Sequence, residues 1–366
     1  MTDERENKPS MSRLYRLAHC AGSWLLELAL RADGGDAPRK SNPWAEMGTR
    51  IHSALEGGLD PSTLNDSEYK VYARCVEQFE EVLDLVFSDQ REELELIREE
   101  RLWYGEREVS GQPDVVILKD GTCFIADYKT GRGDVEHADS NYQLRGLAVA
   151  AWRHYPDIKE VIVCIIQPLA EGDRKVTMAR YDTDHLQAAE RELQLILKRI
   201  QDPDAKRVPG FKQCQYCPAK TNCPEAIETM SELAVIDSTS TDLAERLPDL
   251  LARCKTAEQI IKGIRERAFE MLTEEPEAIE GWHLKQGSTR QSINDLGQLF
   301  LRLKEEYGIE ASDFAGNCNI TKTKITAMIR GASDLKGADL DAAVTTALDG
   351  LTTVSRNRPS LAQIKT

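Results

Sequence analysis

No apolar run in this chain of 366 residues approaches the roughly 20 residues that a membrane-spanning helix needs. That excludes a helical membrane protein. A secretory leader is not expected either, because Met1-Thr2-Asp3-Glu4-Arg5-Glu6 is charged where a leader would be apolar. The expected location is therefore cytoplasmic. Positive charge is also in short supply. The chain has 47 Lys and Arg against 62 Asp and Glu, a net charge of −15, which argues against a general affinity for nucleic acid. No internal repeat is visible, so a stacked-repeat architecture is not indicated. The length allows two or three domains with ample core.

What is present is a concentration of chemistry near the middle. Asp127-Tyr128-Lys129-Thr130 ends the apolar run Cys123-Phe124-Ile125-Ala126. Upstream lies a second acidic residue, Asp114, in Gly111-Gln112-Pro113-Asp114-Val115-Val116-Ile117. Between them Lys119-Asp120-Gly121 supplies an Asp-Gly pair between two apolar runs, a strong hairpin signal. Asp114 is thus expected on one strand, with Asp127 and Lys129 on its partner. Residues two apart on a strand share a face. Two carboxylates and an ammonium then converge, the equipment for holding a divalent metal and cutting a phosphodiester. Magnesium or manganese held by Asp114 and Asp127, with the backbone carbonyl of Tyr128 as a further oxygen, meets that need, and Lys129 offsets charge on phosphorus. The bland alternative is a hairpin carrying a surface salt bridge.

The surrounding pattern adds to this. Gly111-x2-Asp114, then Asp127-Tyr128-Lys129-Thr130-Gly131, then Tyr142-Gln143-Leu144 resembles the PD-(D/E)XK nuclease superfamily. The similarity is to its RecB-type branch, which includes AddB-like and CRISPR-associated exonucleases. Upstream, Gly48-Thr49-Arg50-Ile51-His52, followed by Ala54-Leu55-Glu56, matches the helical histidine motif of that branch. The resemblance implies that His52 is a metal ligand and that Gln143, on the helix after the D-x-K strand, contacts the active site or DNA. A tyrosine that the family often carries a few residues after the glutamine is missing from Gly146 to Ala150, or replaced by Tyr142. The resemblance spans about residues 12 to 226. Taken alone, His52 reads as a structural histidine and Gln143 as a solvated amide.

Nine cysteines are present. Cys75, Cys123, Cys164, Cys254 and Cys318 are scattered, and Cys123 and Cys164 lie in strand-like runs as small core residues. Cys214, Cys217 and Cys223 are clustered as C-x2-C-x5-C. Zinc and iron–sulfur sites commonly take four ligands, and the candidate fourth is Cys20. A distant first cysteine with a C-terminal trio resembles the iron–sulfur clasp of AddB-like and CRISPR-associated nucleases, where a [4Fe-4S] cluster ties the ends of the nuclease domain together. Zinc is the alternative. A disulfide is disfavoured by the expected reducing compartment.

The remaining sequence organises as follows. Residues 1–11 are expected to be a disordered tail. Residues 12–230 form the nuclease domain with its cysteine clasp, 236–350 a mainly helical extension, and 351–366 a flexible tail. Helices are expected at Ser12 to Ala18, Pro43 to Leu55, Ser67 to Phe87, Ala138 to His154 and Asp182 to Ile200. Arg98 to Tyr104, Glu108 to Leu118 and Thr122 to Lys129 read as an antiparallel meander, with further strands at Glu160 to Pro168 and Lys175 to Tyr181. A long helix is expected over Thr239 to Thr273, a strand at Gly281 to Gln286, a helix at Ile293 to Tyr307 and a small helical unit from Ile320. The fold class is α/β, a restriction-endonuclease-like central mixed sheet flanked by helices with a mainly helical C-terminal extension. Arg13, Arg16, Lys129, Arg132, Arg145 and Arg153 are candidates for a basic groove. The acidic run Glu92, Glu93, Glu95, Glu99 and Glu100 reads as a solvated surface.

The expected activity is metal-dependent hydrolysis of DNA, an exonuclease first. The resemblance implies a role in phage recombination or DNA processing, with a single-strand annealing or recombination protein as possible partner. An endonuclease on the same fold and a non-catalytic DNA-binding module are the rivals.

Overall fold

In the computed structural model the described residues are 7–33, 43–88, 94–131, 133, 135–234 and 243–284, then 296–307, 310–316, 318, 326, 329–330 and 335–348. They divide into two units, residues 1–284 and 285–366. The strands are β1 (Leu96–Arg98), β2 (Leu102–Tyr104), β3 (Val109–Gly111), β4 (Val115–Lys119), β5 (Thr122–Tyr128), β6 (Glu160–Ile166) and β7 (Val176–Tyr181). Five of them make one sheet in the order β1-β4-β5-β6-β7, parallel only between β5 and β6. The expected central mixed sheet is therefore present. The Asp-Gly turn forms as its sequence dictates. Asp120 and Gly121 both adopt left-handed backbone (φ 51° and 80°), as a two-residue type I′ turn requires, and Lys119 pairs with Thr122.

The helices of the first unit are α1 (Leu14–His19), α2 (Ser23–Ala32), α3 (Pro43–Glu56), α4 (Asp66–Phe87), α5 (Tyr142–His154), α6 (Thr183–Arg199), α7 (Phe211–Gln215), α8 (Pro224–Ala234) and α9 (Leu243–Glu274). Parallel neighbours need a crossover, and α5 supplies it between β5 and β6. Both sheet faces are covered, so β5 and β6 read as unbroken apolar runs. Cys123, Ile125, Val161, Val163 and Ile165 share one core with residues of α1, α5 and α6. Phe124, Ala126, Tyr128, Ile162, Cys164 and Ile166 share the other with α3 and α4. Local signals set the helix starts. Asn65 and Glu68 form a reciprocal capping box on α4, and Asn141 and Asp182 cap α5 and α6. The second unit contains α10 (Leu296–Tyr307), α11 (Ala311–Gly316) and α12 (Gly337–Leu348).

Several expectations are corrected. The meander does not form as drawn. β2 and β3 leave the main sheet as a separate antiparallel pair, and β1 pairs with β4 instead. Pro113, which has no N–H to donate, stands at the break between β3 and β4. The helix bearing Gln143 starts at Tyr142 and not at Ala138, because Asn141 caps it. The expected tail ends early: Ser10 bridges to Ser110 and Met11 is fully buried. The break after residue 230 is not where the units divide. α9 belongs to the first unit, where Ile260 is buried with Cys223 and Ala226. Residues 281–284 form no strand. The helical unit from Ile320 to Ile325 and the tail from Thr353 lie outside the described residues, as do Arg132, Glu92 and Glu93.

Candidate active site

The five residues singled out from sequence meet at one place, at the end of β5. Asp127 is its penultimate residue, and Lys129 lies one position past its end. Asp114 precedes β4 by one residue and is not on the strand itself. His52 comes from α3 and Gln143 from the first turn of α5.

Their contacts form two linked groups. Asp114 Oδ1 lies 3.2 Å from His52 Nδ1, and its Oδ2 accepts from the Tyr128 backbone N–H at 2.5 Å. Gln143 donates through Nε2 to Asp127 Oδ1 at 2.9 Å, and its Oε1 accepts from Lys129 Nζ at 3.4 Å. Lys129 Nζ forms an ion pair with Asp127 Oδ2 at 2.5 Å. The amide of Gln143 therefore holds the acid and the base of the D-x-K pair at once. Both aspartates are buried, while the Lys129 side chain keeps 30% exposure.

The pKa values of the two aspartates shift in opposite directions. Burial opposes ionisation of Asp114, but the hydrogen bond and charge of His52, then the Tyr128 N–H and Lys129, hold its pKa below the ordinary range. Burial dominates at Asp127 and pushes its pKa up. Lys129 pulls against that shift and Asp114 adds repulsion. Burial lowers the pKa of His52, but Asp114 outweighs it and the net direction is upward. An ionised Asp114 only accepts, so the Nδ1 of His52 carries the hydrogen and Nε2 is left to face a ligand.

One carboxyl at the site escaped the sequence analysis. Glu99 reaches both Asp114 and Glu56. Burial, then the charges of Asp114 and Glu56, and hydrogen bonds to both, push the Glu99 carboxyl up to about 8. Glu99 has left-handed backbone (φ 53°), its N–H donates to the Asp114 carbonyl at 3.4 Å, and Gln112 donates to its carbonyl at 2.8 Å. The acidic run is thus not uniformly a solvated surface. Glu95 is exposed, Glu99 faces the centre, and Glu100 accepts from the Tyr155 hydroxyl. The missing signal was the pairing of β1 with β4, which sets Arg98 opposite Val115 and so Glu99 beside Asp114.

Glu99 yields a pH prediction. Its folded pKa lies above the ordinary carboxyl value, so between about 4.5 and about 8 the folded protein keeps a proton that the unfolded chain releases. Stability of chelator-treated protein should fall as pH rises through that window. Glu99→Gln should flatten the fall in thermal melts. An unchanged pH slope in the variant would place the titrating group elsewhere.

The donor set suits a hard divalent cation. Asp114, Asp127, Glu99 and Glu56 supply carboxyl groups against the single ammonium of Lys129, with one imidazole, a combination fitting magnesium or manganese. Among the described residues no three or more His, Cys, Asp or Glu side chains are drawn together tightly enough to enclose an ion. The donors here are neighbours and not a closed cage. The basic groove is not borne out. Arg13 and Arg16 pair with Glu27, Arg145 with Glu192 and Arg153 with Glu190, and Arg16 is buried. The absent tyrosine also has a physical reason. Gly146 to Ala150 is wholly buried, and a Cβ on Gly146 would sit 2.5 Å from Leu14.

The four clasp cysteines are buried and unpaired in disulfides. Cys20 lies within electrostatic range of Cys214, Cys217 and Cys223. Burial raises the thiol pKa of Cys20, Cys214 and Cys223, the last to about 11. The Val208 N–H donates to Cys20 Sγ at 3.1 Å, and Arg16 donates to Cys217 Sγ at 3.8 Å. The four thiols of residues 20 and 214–223 are thus neighbours, and like the carboxylates they are not drawn together closely enough to enclose an ion. The approach of the two ends is tight. A Cβ on Gly22 would sit 2.1 Å from the Ala205 carbonyl oxygen.

Fold and site define a mixed α/β protein with a buried carboxylate–lysine–amide centre and a cysteine clasp. The chain belongs to the family described as protein of unknown function DUF2800, which matches residues 10–365. No curated protein matches it. Solved structures similar to it include a putative exonuclease from Eubacterium rectale, at 13% identity over 54% of this chain and 82% of that one, with a TM-score of 0.36. LHK-Exo in complex with dAMP, an alkaline exonuclease from Laribacter hongkongensis, matches at 13% identity over 54% and 89%, with a TM-score of 0.32. SSO0001 matches at 15% identity over 61% and 89%, with a TM-score of 0.29. No helix among the described residues is long and apolar enough to cross a membrane.

Proposed function

We propose that this protein is a metal-dependent deoxyribonuclease, acting as an exonuclease. One observation carries the reading. His52, Asp114, Asp127, Lys129 and Gln143, drawn from α3, the approach to β4, the end of β5 and α5, meet around two buried carboxyl groups. A structural salt bridge would not need an imidazole on one carboxylate and an amide on the other. His52, Asp114, Asp127 and the Tyr128 carbonyl are the groups that would hold magnesium or manganese, which when bound supplies charge neutralisation and an acidified water. The chain's own residues do the rest. Asp114 orients the His52 ring. Gln143 fixes Asp127 and Lys129 relative to each other. The Lys129 ammonium faces the negative charge that grows on the phosphate as water forms one P–O bond and the other breaks. The products are a phosphate monoester and a hydroxyl.

The clasp is assigned to a [4Fe-4S] cluster on Cys20, Cys214, Cys217 and Cys223, with zinc as the alternative. Its role is structural, since the ligands join the two ends of the nuclease domain. Iron and sulfide in protein purified without oxygen support it, and stoichiometric zinc without iron reassigns it. Phage recombination or DNA processing, with an annealing or recombination protein as partner, rests on the family resemblance.

The direct test is incubation with Mn²⁺ and end-labelled linear or closed circular DNA. Progressive loss of linear DNA with the circle intact is expected. Nicking of the circle would make the protein an endonuclease. Binding to DNA without hydrolysis under any divalent cation would make it a non-catalytic module.

A further inference from the structure

The long helix α9 is held to the first unit by one face. Thr256, Ala257, Ile260 and Gly263 are buried there, and a Cβ on Gly263 would sit 2.6 Å from the Lys220 side chain. A helix turns about 100° per residue, so the opposite face carries Leu251, Cys254, Glu258, Ile261, Arg265 and Phe269, spaced three or four apart. All six are exposed, Leu251 by 40%, Ile261 by 37% and Phe269 by 57%. Two opposite charges therefore interrupt an apolar stripe. Other ions of this helix pair along it: Arg253 with Asp249, Lys262 with Glu266 and Arg267 with Glu270. Among the described residues, Glu258 and Arg265 make no ion pair. They stand two turns apart, about 10 Å along the axis, too far to meet each other.

We propose that this face of α9 docks the same face of a second copy of the chain, as an antiparallel helix pair with a twofold axis near Ile261. Charge selects the arrangement. A parallel pair in register would set Glu258 against Glu258 and Arg265 against Arg265, like against like. The antiparallel pair sets Glu258 of each copy beside Arg265 of the other, and the twofold axis makes that contact twice. The midpoint between the two charges falls beside Ile261, so the two isoleucines meet at the axis and Leu251, Cys254 and Phe269 extend the apolar seam outward. Burial of those side chains supplies the drive. The two ion pairs add little net affinity, because both charges lose water on docking. Their effect is to fix direction and register, as polar residues in a helical seam do. A contact of a surface with itself about a twofold axis closes, so the product is a dimer and not a filament.

The test is analytical ultracentrifugation of the full chain in reducing buffer, which keeps the exposed Cys254 from cross-linking copies. The wild type should pass from monomer to dimer as its concentration rises. Glu258→Arg replaces both opposite-charge contacts by arginine against arginine, and should weaken the dimer by about tenfold or more. Arg265→Glu should do the same through glutamate against glutamate. The double variant Glu258→Arg/Arg265→Glu restores opposite charges in exchanged places, and its dissociation constant should return to within about threefold of the wild-type value. Far-UV circular dichroism should be unchanged in all three variants, because both side chains are exposed and unpaired in the single chain. A wild type that stays monomeric up to about 100 µM would overturn the proposal. So would a dimer that neither single substitution weakens, or one that both weaken and the double variant fails to restore.

Discussion

Asp127→Ala should abolish DNA hydrolysis, lowering the rate on the order of a thousandfold or more, and Asp114→Ala should do the same. Each change removes a carboxylate that water cannot replace without losing charge neutralisation. The two variants should differ in stability. Asp127 is buried and its pKa is pushed up, so its ionised form is a cost to the folded state near neutral pH. Removing it relieves that cost but leaves Lys129 and Gln143 without their shared acceptor, so Asp127→Ala should lower the melting temperature of chelator-treated protein less than Asp114→Ala does at pH 7. Asp114 has the opposite shift, held low by His52 and the Tyr128 N–H. Its contribution to stability is present above the ordinary carboxyl pKa and is lost only as pH falls through the folded value. Asp114→Ala should therefore lower the melting temperature at pH 7, and the loss should shrink in acid. The comparison needs rates and melts of both variants free of host nuclease. Near wild-type rates in both would end the catalytic assignment.

The two aspartates also show what the sequence made legible. Local rules were enough for the β4–β5 hairpin, because Asp120-Gly121 sets its register and the register sets Asp127 beside Asp114. The two-residue spacing of Asp127 and Lys129 was likewise readable, although Lys129 falls one position past the strand. His52 and Gln143 were found only through the family resemblance, since nothing local distinguishes them from a structural histidine and a solvated amide. Glu99 was not legible. Its place depends on β1 skipping over the β2–β3 pair to join β4, a non-local pairing that alternation along the chain does not reveal. Charge partners were misread for a similar reason. Arg13 and Arg16 look like groove residues in a list of cations. The fold spends them on Glu27, an acid whose only sequence signal is its position in the apolar stretch Ser23-Trp24-Leu25-Leu26-Glu27.

Glu27 carries the largest expected effect on stability. Its side chain is fully buried on α2 and pairs with three guanidinium groups: Arg13 and Arg16 of the segment before the clasp, and Arg31 one turn on at 2.6 Å. Arg16 lies 2.5 Å from Glu27 and continues to Ser23 Oγ at 3.0 Å and Cys217 Sγ at 3.8 Å. The carboxylate therefore holds α1 against α2 and sets the cation that faces the clasp. Removing one partner of a buried ion pair leaves the other charge desolvated, at a cost of about 3–5 kcal/mol. For a unit of this size that is a fall in melting temperature of roughly 10 °C. Glu27→Gln, which keeps the shape and removes the charge, should show that loss. Arg31→Ala should cost far less, because Arg31 is partly exposed and two guanidinium groups remain on Glu27. The Glu27→Gln variant should also expose Cys20 and Cys217 to thiol reagents faster in metal-free protein, since Arg16 is no longer held. A melting temperature within about 2 °C of wild type would mean that the three arginines re-solvate without cost. It would also show that the clasp does not depend on Glu27 for its geometry.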